Sequence, residues 1–220
     1  MFKKAIFIGI IALGFTACEN SKEEQQTLVH LDGRSKPQIL LLDVIDHSDS
    51  AVPWDISSEF NQQLSHELRN YGSLYLKSPE DISSDFDSLS LAKKLQRSPF
   101  EKKQLQVNTE FLTTVEIIEH KITPVPQKPS ISHPNALTHQ LSIKARVKVF
   151  DIRRNQSVLI LSEIIEQEAF IPWQLSTINY KKNNYKTAQY KMTPLGINHK
   201  QIVQNIAKKV HDYVLLAKSR

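Results

Sequence analysis

Between Val107 and Phe170 the apolar residues recur at every second position, in three consecutive runs. Val107, Thr109, Phe111, Thr113, Val115 and Ile117 share one face of the first. Leu141, Ile143, Ala145, Val147 and Val149 share one face of the second, opposite Lys144, Arg146 and Lys148, and the third is Ser157–Phe170. Successive side chains of a strand point to opposite faces, so a period of two predicts half-buried strands. The last two runs are joined across Arg153-Arg154-Asn155-Gln156, a spacing that predicts an antiparallel hairpin.

The rest of the chain supplies what such a sheet needs. Gln38–Ile45, QILLLDVI, follows Pro37 as a short continuous apolar run and reads as a buried central strand. Ile56, Phe60, Leu64, Leu68 and Tyr71 then fall four or three residues apart, between Asp55 as N-cap and Gly72 as C-terminal stop, which predicts an amphipathic helix. Ser73–Lys77 returns as a short strand, and Phe86–Leu95 carries a weaker helical pattern that ends before Pro99. Ile202, Ile206, Val210 and Val214 line one side of a closing helix, for which Asn198 and Gln201 form a capping box and Ile197 a staple onto Ile202. Phe60, Leu64, Leu68, Ile206 and Val210 are expected to be buried against a sheet containing Leu40, Leu42, Phe111, Val147 and Ile160. The fold class is α/β (α+β), with one mixed sheet of about five strands and two to three flanking helices.

The beginning of the chain is of another kind. Lys3 and Lys4 precede an apolar stretch, Ala5–Ala17, whose 13 residues fall short of a membrane span; a spanning helix needs roughly 20. The stretch reads as a secretory signal peptide, residues 1–17. Residues 18–36 are polar and read as a flexible tether with a root-mean-square reach of roughly 23 Å. The globular domain is then 37–220.

Composition restricts the chemistry. The chain has five glycines, of which Gly33, Gly72 and Gly196 lie beyond the leader and are isolated from one another. No dinucleotide fingerprint, Walker loop or nucleophile elbow can be built from them. A single Cys excludes an intramolecular disulfide, a redox pair and a multi-cysteine zinc site. The eight histidines show no HxxxH or HxH spacing, so neither a metal nor any cofactor is expected, although His133 and His139 flank one hairpin. Removing the leader takes away Lys3 and Lys4 and lowers the net charge from +5 to +3, which is no nucleic-acid footprint.

That lone Cys18 follows Phe15-Thr16-Ala17 at the end of the leader, and this segment resembles the lipobox of bacterial lipoproteins. The resemblance implies a diacylglyceryl group on the Cys18 thiol, with chains such as palmitate, and a membrane-anchored mature protein. Glu19 stands where Asp would retain a lipoprotein in the inner membrane, so the implied address is the outer membrane, facing the periplasm. QILLLDVID at Gln38–Asp46, Leu68-Arg69-Asn70-Tyr71-Gly72, VKVFDIRRNQSV at Val147–Val158 and the closing helix together resemble a known envelope domain. It is shared by the curli secretion lipoprotein, the lipoprotein activators of penicillin-binding proteins and the amino-terminal domain of the Tol translocation protein. The overall sequence also looks like a chlamydial lipoprotein family of unestablished function. These resemblances imply the fold and no functional residues.

Three segments carry functional readings. Asp43, Asp46, His47 and Asp49 cluster after the first strand, where α/β sheets bind ligands, and with Glu163 or Glu166 they make the case for a periplasmic hydrolase. The other reading is a solvated loop with helix-capping acids. Pro124, Pro126, Pro129 and Pro134 mark a stiff loop over 121–138, whose PxxP at Pro126–Pro129 could instead dock a partner. The segment 171–195 interleaves Trp173, Tyr180, Tyr185 and Tyr190 with Lys181, Lys182, Lys186 and Lys191. Such a mixture suits a partner-binding surface, and it equally suits an excursion that buries its own tyrosines at the core rim. The sequence therefore predicts a non-catalytic, membrane-anchored lipoprotein whose domain binds an envelope protein or a second copy of itself. A subunit of an envelope secretion complex is the third reading; the lysines of 171–195 argue against a pore-forming hairpin.

Overall fold

The computed structural model describes residues 26–77, 87–95, 108–125, 138–154 and 156–220. The expected signal peptide, Cys18, the first part of the expected tether, His133 and the Pro126–Pro129 motif lie outside them. One mixed six-stranded sheet is covered on one face by two helices and partly on the other by a third.

The strand β1 (Gln38–Leu41) and the two-residue β2 (Ile45–Asp46) run in succession along the same parallel partner. Between β1 and its other parallel neighbour, β3 (Tyr75–Leu76), lies the helix α1 (Ile56–Asn70). Asp55 caps α1 by accepting from Ser57 N and Ser58 Oγ. The chain turns out of α1 at Gly72, whose φ of 66° is left-handed and favours glycine. The short helix α2 (Ser88–Leu95) precedes three long strands, β4 (Phe111–Val125), β5 (Thr138–Asp151) and β6 (Val158–Ile171). These form an antiparallel meander, giving the order β3-β1-β4-β5-β6, and α3 (Pro194–Lys218) closes the fold.

Phe60, Leu64 and Leu68 of α1 and Ile206 and Val210 of α3 are buried against Phe111, Val115, Val147 and Val149. Leu40 and Leu42 are not part of this layer, contrary to the sequence expectation. They face the other side of the sheet and form a second core with Leu112, Phe150, Ile152 and the α2 residues Ala92 and Leu95. Alternation along β1 explains this, since Ile39 points toward α1 and α3 while Leu40 points away. A central parallel strand buried on both faces needs a continuous apolar run.

Two further expectations are corrected. The helix α3 begins at Pro194, with Thr193 Oγ1 accepting from Gly196 N, rather than at a capping box formed by Asn198 and Gln201. Asn198 lies inside the helix and donates to Pro194 O, while Ile197 is exposed and staples nothing. The tether is folded from Gln26 on: Gln26 Oε1 accepts from Leu76 N, and Val29 bridges Ser35. Among the described residues no helix is long and apolar enough to cross a membrane.

A β-bulge in β4 breaks the alternation of that strand. Phe111, Thr113, Val115 and Ile117 alternate inward, but the register shifts between Ile117 and Glu119. One extra residue reverses the facing of everything beyond it. Glu119 therefore pairs outward with Lys144, and His120 turns into the interior, where it is almost completely buried.

Candidate functional site

On the buried side of α1, Glu59 is wholly enclosed, and its carboxylate gathers four donors. Trp54 Nε1 donates to Oε2 at 2.8 Å. Gln63 Nε2 and the Tyr190 hydroxyl donate to Oε1, each at 2.8 Å, and His199 Nδ1 lies 2.9 Å from the same oxygen. Burial alone would raise the Glu59 pKa, but the hydrogen bond and charge of His199 and the hydrogen bonds from Trp54 and Tyr190 outweigh it and hold the pKa below the usual value. The same burial, reinforced by the Glu59 charge, pushes the Tyr190 hydroxyl far above the ordinary tyrosine range. Tyr190 remains a neutral donor.

The hydrogen bonds continue beyond His199. His120 Nε2 lies 2.9 Å from His199 Nε2, and Ser50 Oγ lies 2.9 Å from His120 Nδ1. Between the two facing Nε2 atoms only one can carry the proton, so one ring donates and the other accepts, and Ser50 Oγ completes the chain at His120 Nδ1. Every buried polar atom along this path finds a partner. Burial and the neighbouring His199 lower the His120 pKa to about 4. The network ties the loop before α1, the bulged end of β4 and the start of α3 into one clasp.

That clasp decides how the segment between β6 and α3 lies. Trp54 meets the rings of Tyr180, Tyr185 and Tyr190 at centroid distances of 6.2, 6.0 and 5.3 Å. Tyr190 is fully buried, and Tyr180 and Tyr185 rest against the core. Burial comes at the cost of their availability to a partner, so Tyr190 is removed from the predicted partner-binding surface and Tyr180 and Tyr185 contribute only their rims. Trp173 is half-buried in a 3-10 turn, Trp173–Leu175. Lys181, Lys182, Lys186 and Lys191 are exposed. Asn179 Oδ1 accepts from Lys181 N and Lys182 N, and Asn184 Oδ1 from Lys186 N, so the turns that carry these lysines are fixed by local hydrogen bonds.

The acidic loop stands apart from this clasp. Asp43, Asp46, His47, Asp55, Asn61 and Lys93 line an open cavity of about 610 Å³ at the start of α1. Asp55 caps the helix, Asp43 Oδ1 accepts from Asn61, and Asp46 Oδ1 accepts from Ser48 N and Ser48 Oγ. Asp49 is exposed and outside the cavity lining. Glu163 and Glu166, the expected partners in a hydrolase, are on β6, where they pair with Lys209 and Lys144. The cavity lining includes neither, so the fold does not assemble the predicted carboxylate pair. Among the described residues no three His, Cys, Asp or Glu side chains are gathered to hold a metal ion.

The clasp was beyond sequence reasoning. Its members Glu59, His120 and His199 read as an amphipathic helix residue and two ordinary histidines, and only the alternation break at Glu119 and Lys121 hinted at the bulge.

The fold is similar to that of the hypothetical protein CT253 from Chlamydia trachomatis, at 23% identity and a TM-score of 0.63 over 82% of this chain and 98% of that one. Lipoprotein GNA1162 from Neisseria meningitidis matches at 12% identity and a TM-score of 0.43, over 78% of this chain and 99% of that one. The PelC dodecamer subunit from Paraburkholderia phytofirmans matches at 6% and 0.39, over 78% and 85%. No curated protein sequence matches the chain. A family model, described as a family of unknown function, DUF7499, matches residues 25–218, and the chain belongs to that family.

Proposed function

We propose that the protein is a non-catalytic lipoprotein, held on the outer membrane through acylated Cys18, whose periplasmic domain binds another envelope protein. The observation that carries this reading is the division of labour in residues 171–195. The rings of Tyr180, Tyr185 and Tyr190 pack into the clasp around Glu59, while Lys181, Lys182, Lys186 and Lys191 are left outside on turns of fixed shape. A long connection held rigid with charged groups displayed loses little freedom on binding, which favours recognition. The lipobox resemblance and the likeness to envelope domains support the address. The chain's similarity to lipoproteins supports the class.

The test is purification of the full-length chain from envelope membranes, with and without the double change Lys181→Ala and Lys182→Ala. A defined protein should accompany the unaltered chain and be depleted from the variant at equal thermal stability. Recovery of the chain alone after mild crosslinking, in both cases, would overturn the reading.

A further inference from the structure

The geometry points to an acidic protein surface as the partner of the lysine-bearing face, engaged on the side of the domain that looks away from the membrane anchor. This rests on the binding-module reading and adds the partner's chemistry and direction.

Charge is the first ground. From Ala169 to His211 the chain has seven lysines and no Asp or Glu. Lys208 and Lys209 are paired with Asp212 and Glu163. Lys181, Lys182, Lys186, Lys191 and Lys200 are exposed and make no ion pair among the described residues. On the sheet and its β5–β6 turn, by contrast, Arg146, Lys144 and Arg153 each meet a carboxylate. Other exposed cations, Lys93, Lys94, Lys121 and Arg154 among them, also make no ion pair among the described residues. Here, however, five lysines gather on a stretch of chain without a single carboxylate, where a complementary partner would supply the missing anions.

Apolar exposure is the second. Met192 is 75% exposed beside Lys191, and Ile197 is 52% exposed one turn before Lys200. Apolar anchors set among cations suit a protein surface better than a small hydrated anion.

Direction is the third. The lysine segment is fastened to Trp54, two residues before α1, whereas the described chain begins beside β3 and Gly72, two residues after α1. The 15 residues of α1 separate the two ends, a distance of about 22 Å. Between Cys18 and Gln26 the backbone can span at most about 27 Å. The anchor is thus rooted beside the Gly72 end of α1, and the lysine segment is fastened at the opposite end, away from that root.

The experiment places the photoreactive residue p-benzoylphenylalanine at Met192, and separately at Ile164 on the outer face of the sheet, in the full-length chain within a bacterial envelope. Adducts at position 192 should be peptides of another protein with more Asp and Glu than Lys and Arg. Their yield should fall about ten-fold when Lys181, Lys182, Lys186 and Lys191 are changed together to Gln. It should also fall when ionic strength is raised on the unaltered chain, and it should be restored by the four corresponding changes to Arg. Adducts with lipid alone, or with a second copy of this chain, overturn the inference. Protein adducts at position 192 without an acidic excess, or indifferent to both charge removal and salt, also overturn it while leaving the binding-module reading intact. Adducts at position 164 only do the same. Protein adducts at neither position remove the binding-module reading itself.

Discussion

His120 and His199 meet Nε2 to Nε2 at 2.9 Å in the interior, so one ring must donate and the other accept. The two cannot both be protonated, since two N–H groups would then face each other. The unfolded chain has no such restriction. The His120 pKa is about 4 in the fold against 6.5 for the free side chain, because of burial first and His199 second. Below pH 6.5 the unfolded state takes up a proton that the folded state refuses, so stability is full above that value and declines as pH falls toward 4. The loss from this group should reach about 3 kcal/mol at the lower limit. Chemical denaturation at a series of pH values measures it, and His120→Gln should flatten the decline between those limits.

Glu59 provides the second acid-sensitive step and the larger structural one. Its folded pKa is held below the ordinary carboxylate value, so the stability it contributes is present above that value and is lost as pH falls through the folded one. Glu59→Ala would leave Trp54 Nε1, Gln63 Nε2, the Tyr190 hydroxyl and His199 Nδ1 facing an empty site. Such stranded buried donors should cost about 3–5 kcal/mol in denaturant unfolding. Glu59→Gln keeps the volume but sets an amide N–H among donors, and should not restore the original stability.

How far such a clasp can be read from sequence depends on what its parts respond to. The helix α1 was legible because Ile56, Phe60, Leu64 and Leu68 obey one period and Asp55 and Gly72 mark its ends, all local facts. The meander was legible for the same reason. The bulge at Ile118 was not, because strict alternation predicts Glu119 and Lys121 inward and only the pairing with Lys144 shows that they turn out. The segment 171–195 stood out by composition, yet which of its side chains face inward is decided by Glu59, 131 residues from Tyr190. The second core was missed because α2 covers Leu40 and Leu42 from a face that the sequence pattern of β1 does not distinguish from the first.

Cys18 should carry lipid. It is the only thiol in the chain and stands directly after the small residues Thr16 and Ala17 at the end of the leader. Intact mass of the detergent-extracted protein should correspond to a chain starting at residue 18 with acyl mass added, and Cys18→Ser should release the domain into the soluble envelope fraction. A chain starting elsewhere without added mass would count against the anchor.

Gly196 should tolerate no side chain, although its backbone is ordinary helix. A Cβ there would come within 2.1 Å of the Tyr190 carbonyl oxygen and 3.2 Å of the Tyr190 ring. The first obstacle is backbone in a turn that Thr193 closes by donating to the same carbonyl, so it cannot rotate away as a flexible side chain would. Gly196→Ala should therefore cost about 1–3 kcal/mol of overpacking and shift Tyr190 relative to its partners. Because Tyr190 holds Glu59 and lies edge-on to Trp54, the displacement should alter Trp54 emission. A Trp173→Phe background leaves Trp54 as the only tryptophan and makes this readable. Ile197→Ala, next in sequence but exposed, should change stability by no more than about 0.5 kcal/mol and leave the emission unmoved. If both variants melt alike, the turn at Tyr190 is not held against α3 as the contact geometry requires.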